Sequence, residues 1–167
     1  MKKEDVVVEK ALLSNNYFRL FKLQEKLDID LNELENQYIK LIKYTICEQQ
    51  SQNIVQINIA YQVLKSPLKR AEHLLEILNI QITQDYCNDP TILNEAITIR
   101  ENILEYNDFK SARIMIDTKL QECLQKFSQA YDIRDFEISI KQIIRLKYLS
   151  KIYAEVKEQE NAIYANV

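Results

Sequence analysis

The sequence predicts an all-α fold, and three observations carry that expectation. The 167 residues include no glycine, where average usage of about 7% would supply roughly a dozen. Tight hairpins rely on glycine for positive φ, so a sheet-rich chain without it would be hard to turn. Apolar residues make up 47% of the chain and recur at helical spacing, enough for a real core. Two cap-plus-proline pairs, Ser66-Pro67 and Asp89-Pro90, read as helix starts, because proline at the first helical position gives up an N–H that has no partner there.

Residues 1–15 form a charged lead-in. Its apolar run Val6-Val7-Val8 is too short for a signal peptide, and no span reaches transmembrane length, so no membrane partner and a cytoplasmic location are expected. Asp28 and Asp30 offer N-caps for a helix beginning near Leu31. Leu31, Leu34, Tyr38, Leu41, Ile42 and Thr45 lie along one side of it, with Lys40 and Lys43 on the other. A polar break, Glu48-Gln49-Gln50-Ser51-Gln52, leads to a second amphipathic segment with Ile54, Ile57, Tyr61 and Leu64 on one face and Ala60 beside them. The short connection implies an antiparallel pair, with Phe18, Leu20, Leu34, Tyr38, Leu41, Ile57, Tyr61 and Leu64 as its core.

Ser66-Pro67 opens a helix bearing Leu68, Ala71, Leu75 and Leu78 on one face. The helical period lapses after it, and residues 81–89 are assigned to a linker. Three helical stretches follow, near 90–106, 108–131 and 133–162. In the first, Ile92, Ala96, Ile99, Ile103 and Tyr106 make a complete core stripe. The second carries Phe109, Ala112, Ile116, Leu120, Cys123 and Phe127. The third has Ile140, Ile144, Leu146, Tyr148, Leu149 and Ile152 on more than one side, and its period does not say which side is core.

Composition excludes several function classes. Without glycine there is no phosphate-cradling loop. A formal charge of 22 − 25 = −3 argues against nucleic acid as a partner. Cys47, Cys87 and Cys123 fit no zinc spacing, and His73 stands alone, so no metal site, cofactor or catalytic residue is expected. His73 reads as a hydrogen-bonded or surface residue and Cys47 as a partly buried thiol at a helix end. The ten tyrosines are core and rim residues, lacking the interleaved arginine of a base-stacking surface. Glu101 and Glu105 share a helix face without a nucleophile or base, which suits a solvated face better than acid–base catalysis. Leu93 and Ile97 lie off the core stripe, on the side of Asn94, Glu101 and Glu105. They are read either as a partner-docking strip or as aliphatics covered by another helix or simply exposed.

Two blocks carry a family resemblance. Asn16-Tyr17-Phe18-Arg19-Leu20-Phe21-Lys22-Leu23 resembles the YFxLFxL opening of HscB-type J-protein co-chaperones. Ile57-Asn58-Ile59-Ala60-Tyr61-Gln62-Val63-Leu64-Lys65-Ser66-Pro67-Leu68-Lys69-Arg70-Ala71-Glu72-His73-Leu74-Leu75 is similar to that family's INxAYxxLxxPLxRAxYLL block. The likeness spans about residues 16–160. It implies a J-domain-like helical hairpin over 16–80, the linker 81–89, and a C-terminal three-helix bundle over 90–167. It also implies a non-enzymatic co-chaperone of iron–sulfur cluster assembly, which delivers a scaffold protein of the IscU type to an HscA-type chaperone of the DnaK class.

The likeness also implies site residues. The scaffold-binding positions fall on Leu93, Asn94, Ile97, Thr98, Glu101 and Glu105, with Tyr148 from the last helix. Asn94 and Thr98 replace more apolar or acidic family choices, so a lower affinity is expected. On the chaperone side, Lys40 and Lys43 keep a basic outer face. The family's His-Pro-Asp trigger, in the loop after the second J-domain helix, falls on Ile46-Cys47-Glu48, where only the third residue stays acidic. Chaperone docking is therefore expected to be weak or lost, and ATPase stimulation is not expected. The alternative is an α-helical adaptor or decayed J-protein that binds a partner without activating any chaperone.

Overall fold

The computed structural model describes residues 15–48 and 52–165. The lead-in up to residue 14 and the centre of the polar break, Gln49-Gln50-Ser51, lie outside the described residues. The described chain is helical, without a strand: α1 (Tyr17–Leu20), α2 (Leu31–Cys47), α3 (Gln52–Lys65), α4 (Pro67–Ile77), α5 (Gln84–Cys87), α6 (Pro90–Tyr106), α7 (Phe109–Asp132) and α8 (Phe136–Ala165). It divides into two compact units, 1–80 and 81–167.

Side chains start the helices. Asn16 caps α1 by accepting from the Arg19 N–H at 3.1 Å. Asp30, rather than Asp28, caps α2 through the Asn32 and Glu33 N–H groups. Ser66 and Asp89 cap α4 and α6 ahead of their prolines. Helix ends turn without glycine. Lys22, Asn79, Asn107 and Arg134 all take positive φ, between 50° and 61°. After three of them the chain closes back on the helix, Leu23 N–H to Phe18 O, Ile80 N–H to Leu75 O and Asp135 N–H to Ala130 O, at 2.8–3.0 Å. These are the 6→1 bonds of a Schellman ending.

In the N-terminal unit, Phe18, Phe21, Leu34, Ile57, Ala60, Leu64, Ala71, Leu74 and Leu75 are almost wholly buried, and Leu20, Leu27 and Tyr61 nearly so. Tyr38 and Leu41 are only half-buried, which corrects their expected core role. α3 covers one side of α2, so Tyr38 lies at the margin, stacked on Tyr61 at 4.2 Å and bonded through its hydroxyl to Asn58 Oδ1. Leu31 is 50% exposed, being the first residue of α2 and one turn short of Leu34. Thr45 is buried and answers its own hydroxyl by donating to Leu41 O at 2.8 Å.

His73 is buried in this unit. Its Nε2 accepts the Tyr17 backbone N–H at 3.2 Å, so the ring proton sits on Nδ1 and is donated to Glu76 Oε2 at 3.0 Å. The ring stacks on Tyr17. It is a structural pin between α1 and α4, with no nucleophile at hand.

In the C-terminal unit, α8 packs against α5, α6 and α7. That explains its apolar residues on several sides: Ile140, Ile143, Ile144, Leu146, Leu149, Ile152 and Val156 are all buried. α7 contributes Ala112, Ile116, Cys123, Phe127 and Ala130, and α6 contributes Ile92, Ala96, Ile99 and Ile103. Tyr106 departs from the expected stripe. It ends α6 just before the left-handed Asn107 and is 72% exposed. The segment expected as a plain linker holds the helical turn α5, which packs on α8.

Candidate functional site

Two surfaces gather the residues singled out from sequence. The first is the outer side of α6. Its cap and proline fix where the helix starts, and its buried stripe fixes which side faces out. Ile97 is 51% exposed, and Asn94, Thr98, Glu101 and Glu105 are exposed with it. Leu93 is half-buried, since it sits nearest the edge of the packed side in the first turn. Tyr148 of α8 is half-buried, and its hydroxyl donates to Cys87 O at 3.4 Å. Cys87 lies two residues before the Asp89 cap, so Tyr148 stands at the end of α6 from which Leu93 projects.

Ion pairs hold α6 in place, and sequence reasoning did not find them. Glu95 takes Arg145 Nη2 at 2.6 Å and Lys119 Nζ at 2.9 Å, tying α6 to α8 and α7. The Arg145 hydrogen bond is the main reason the Glu95 carboxyl is held down at about 2, with Lys119 adding to it against the opposing effect of burial. Arg100 pairs with Glu155 of α8 through Nε at 3.0 Å and Nη2 at 3.2 Å. Glu95 is therefore spent on the fold, while Glu101 and Glu105 stand exposed. The partners lie 24 to 55 residues away, beyond any local sequence signal.

The second surface is on α2. Lys40 and Lys43 are exposed, as expected. Ile46 and Cys47 do not lie in a loop. They form the last turn of α2, Ile46 58% exposed, and Glu48 is the half-buried C-cap whose N–H returns to Tyr44 O at 3.0 Å. The resemblance puts this tripeptide at the family's trigger loop, but the helix carries on to Cys47, the helix end expected for that thiol. Ile39, 41% exposed, was not singled out and lies between the lysines and the buried side.

Cys47 is exposed, which corrects its expected partial burial, since among the described residues nothing packs over the last turn of α2 on that side. Cys123 is buried, and burial pushes its thiol up, away from the reactive thiolate. Among the described residues, no helix is long and apolar enough to cross a membrane, and no cluster of three or more His, Cys, Asp or Glu could hold a metal ion.

Known proteins resolve what the helices belong to. The model of the HSCB C-terminal oligomerisation domain matches residues 88–157, from the α6 cap into α8. A co-chaperone protein HscB homolog of Vibrio cholerae is 30% identical over 168 residues, covering 89% of this chain and 98% of that protein. The chain belongs to the HscB co-chaperone family. HscB co-chaperones are not enzymes. The chaperone HscB from Vibrio cholerae superposes with a TM-score of 0.78 at 26% identity, over 89% of this chain and 99% of that one. The human co-chaperone HscB shares the fold, with a TM-score of 0.77 at 24% identity over 86% of this chain and 81% of its own. The HscB fold, an N-terminal J-like region followed by a helical bundle, is thus the fold of this chain.

Proposed function

We propose that this HscB-family co-chaperone serves iron–sulfur cluster assembly by holding an IscU-type scaffold protein on the outer side of α6, and that it meets an HscA-type chaperone in the cytoplasm without triggering it. The observation that carries the scaffold half is Ile97, exposed beside the half-buried Leu93 on a helix whose opposite stripe already fills the bundle. Apolar side chains left outside a satisfied core suit the centre of an interface, and the exposed Glu101 and Glu105 suit its polar rim. Asn94, Thr98 and Tyr148 complete the contact surface.

The chaperone half rests on chemistry. Lys40 and Lys43 attract an acidic surface but mainly steer encounter. Ile46 and Cys47 supply neither the imidazole nor the rigid proline of a His-Pro-Asp trigger. Their place in a helical turn, with Glu48 as its C-cap residue, favours a second reading for this half: a J-protein that presents a scaffold with its trigger decayed. One set of assays tests both halves. In titrations with a purified IscU-type scaffold, Leu93→Ala with Ile97→Ala weakens binding by about 2 kcal/mol, near 30-fold, while the loss of the half-buried Leu93 side chain lowers the melting temperature by only a few degrees. Single-turnover hydrolysis by an HscA-type chaperone is not accelerated by the wild-type chain. Saturable acceleration would overturn the trigger-loss reading, and undiminished scaffold binding by the double variant would overturn the other.

A further inference from the structure

The α6 surface does not stop at Ile97. Leu104 is 74% exposed, the most exposed aliphatic side chain on this helix. It lies eleven residues from Leu93, three helical turns or about 16 Å along the axis and within about 20° of the same azimuth. Leu93, Ile97 and Leu104 thus form one line on the solvent side. Between α6 and α8, beside Leu104, runs a groove of about 160 Å³. Its floor is apolar, made of Ile103, Ile152 and Val156, all at least nine-tenths buried. The Arg100–Glu155 pair lines it, and these two charges neutralise each other across the helices.

We infer that the apolar centre of the scaffold-docking face, whose acidic rim already runs to Glu105, extends along α6 to Leu104, and that this groove takes one apolar side chain of the scaffold protein. The inference rests on the scaffold-binding reading and lengthens it. Leu93, Ile97 and Tyr148 alone are a small centre for a specific complex, which buries about 800 Å² on each partner. An added apolar contact about 16 Å along the same line, inside the rim that Glu105 already reaches, enlarges that centre. The charges decide the occupant. Arg100 and Glu155 already satisfy each other, so an ionic group entering between them would be desolvated without a counter-charge, whereas an aliphatic or aromatic group would be at no such loss. Glu101 and Glu105 border the same line and are exposed, so the side chain that enters is flanked by basic residues of the scaffold.

The full chain is titrated with a purified IscU-type scaffold protein, and each variant is melted in parallel. Leu104→Ala raises Kd about five- to tenfold with an unchanged melting temperature, and Leu104→Met, which keeps an apolar side chain of similar volume, stays within about twofold of wild type. If Leu104→Ala binds normally while Leu93→Ala with Ile97→Ala binds weakly, the extension is wrong and the scaffold face stands. If none of these variants weakens binding, the scaffold reading itself falls. A melting loss for Leu104→Ala as large as that of a core deletion would make Leu104 a packing residue and overturn the inference. So would dispersal of a self-associated species in sedimentation velocity with scaffold affinity unchanged, since the occupant would then be a second copy of the chain.

Discussion

α2 and α6 are each 17 residues long and each carries the candidate surface of its unit, yet they are held in place differently. α2 buries only Leu34 and Thr45 fully, and Tyr38 and Leu41 stop at the margin. α6 buries a regular four-residue stripe and is tied to both α7 and α8 by Glu95. The difference bears on what each surface can lose. A line of aliphatics on a firmly seated helix tolerates substitution while it stays apolar. A trigger that depends on particular polar groups and a fixed proline has no such latitude. On the function proposed above, divergence at about 30% identity leaves the α6 surface usable and the end of α2 altered in kind.

Core deletions give the largest effect and the most direct way to break the contrast. Ile99 is buried in the centre of the α6 stripe, so Ile99→Ala costs about 2–5 kcal/mol in chemical denaturation. Leu41→Ala removes a half-buried side chain and costs about 1 kcal/mol. Equal losses would show that α2 is seated as firmly as α6. The Glu95 cluster comes next. Glu95→Gln removes the charge that Arg145 and Lys119 share and costs about 1.5–3 kcal/mol. Glu95 is held at about 2 in the folded chain against an ordinary 4.5. Its contribution is complete above pH 4.5 and fades as pH falls toward 2. Stability measured across that window should fall less steeply in Glu95→Gln than in wild type, and parallel curves would show that the cluster does not anchor α6. The smallest effect is on α2. Lys40→Ala with Lys43→Ala leaves stability within about 0.5 kcal/mol and weakens any encounter with an HscA-type chaperone at low salt only, because exposed charges are screened over about 10 Å at 0.1 M. A salt-independent loss in binding titrations would mean that the lysines make close contacts.

Much of the fold was legible from local signals. Proline at Pro67 and Pro90, with Ser66 and Asp89 before them, marked two helix starts to the residue. The α6 stripe was readable because each of its members is packed against the bundle, apart from Tyr106 beyond the last turn. What sequence could not supply was tertiary in origin. Periodicity gave Leu31 and Leu34 equal standing, but only Leu34 has a neighbour to bury it. The apolar sides of α8 made sense only once α5, α6 and α7 were seen to share it. On the α6 surface, spacing separates Leu93 and Ile97 from the core, while Leu104 does not stand out because its value depends on a groove whose floor comes from Ile152 and Val156, about fifty residues on. Glu95 looked like one acid among several until Arg145 and Lys119 were found around it.

The glycine-free helix endings also shape the unfolded chain. Each left-handed residue with a side chain, such as Lys22 or Arg134, holds roughly 1–2 kcal/mol of local strain in the native state. A chain without glycine, however, has fewer backbone conformations to surrender when it folds. The two effects oppose each other, so the cost that most proteins meet as lost entropy in the denatured ensemble is here moved into the folded state, at a handful of turns. Stability in this chain is set partly by how little freedom the polypeptide has before it folds.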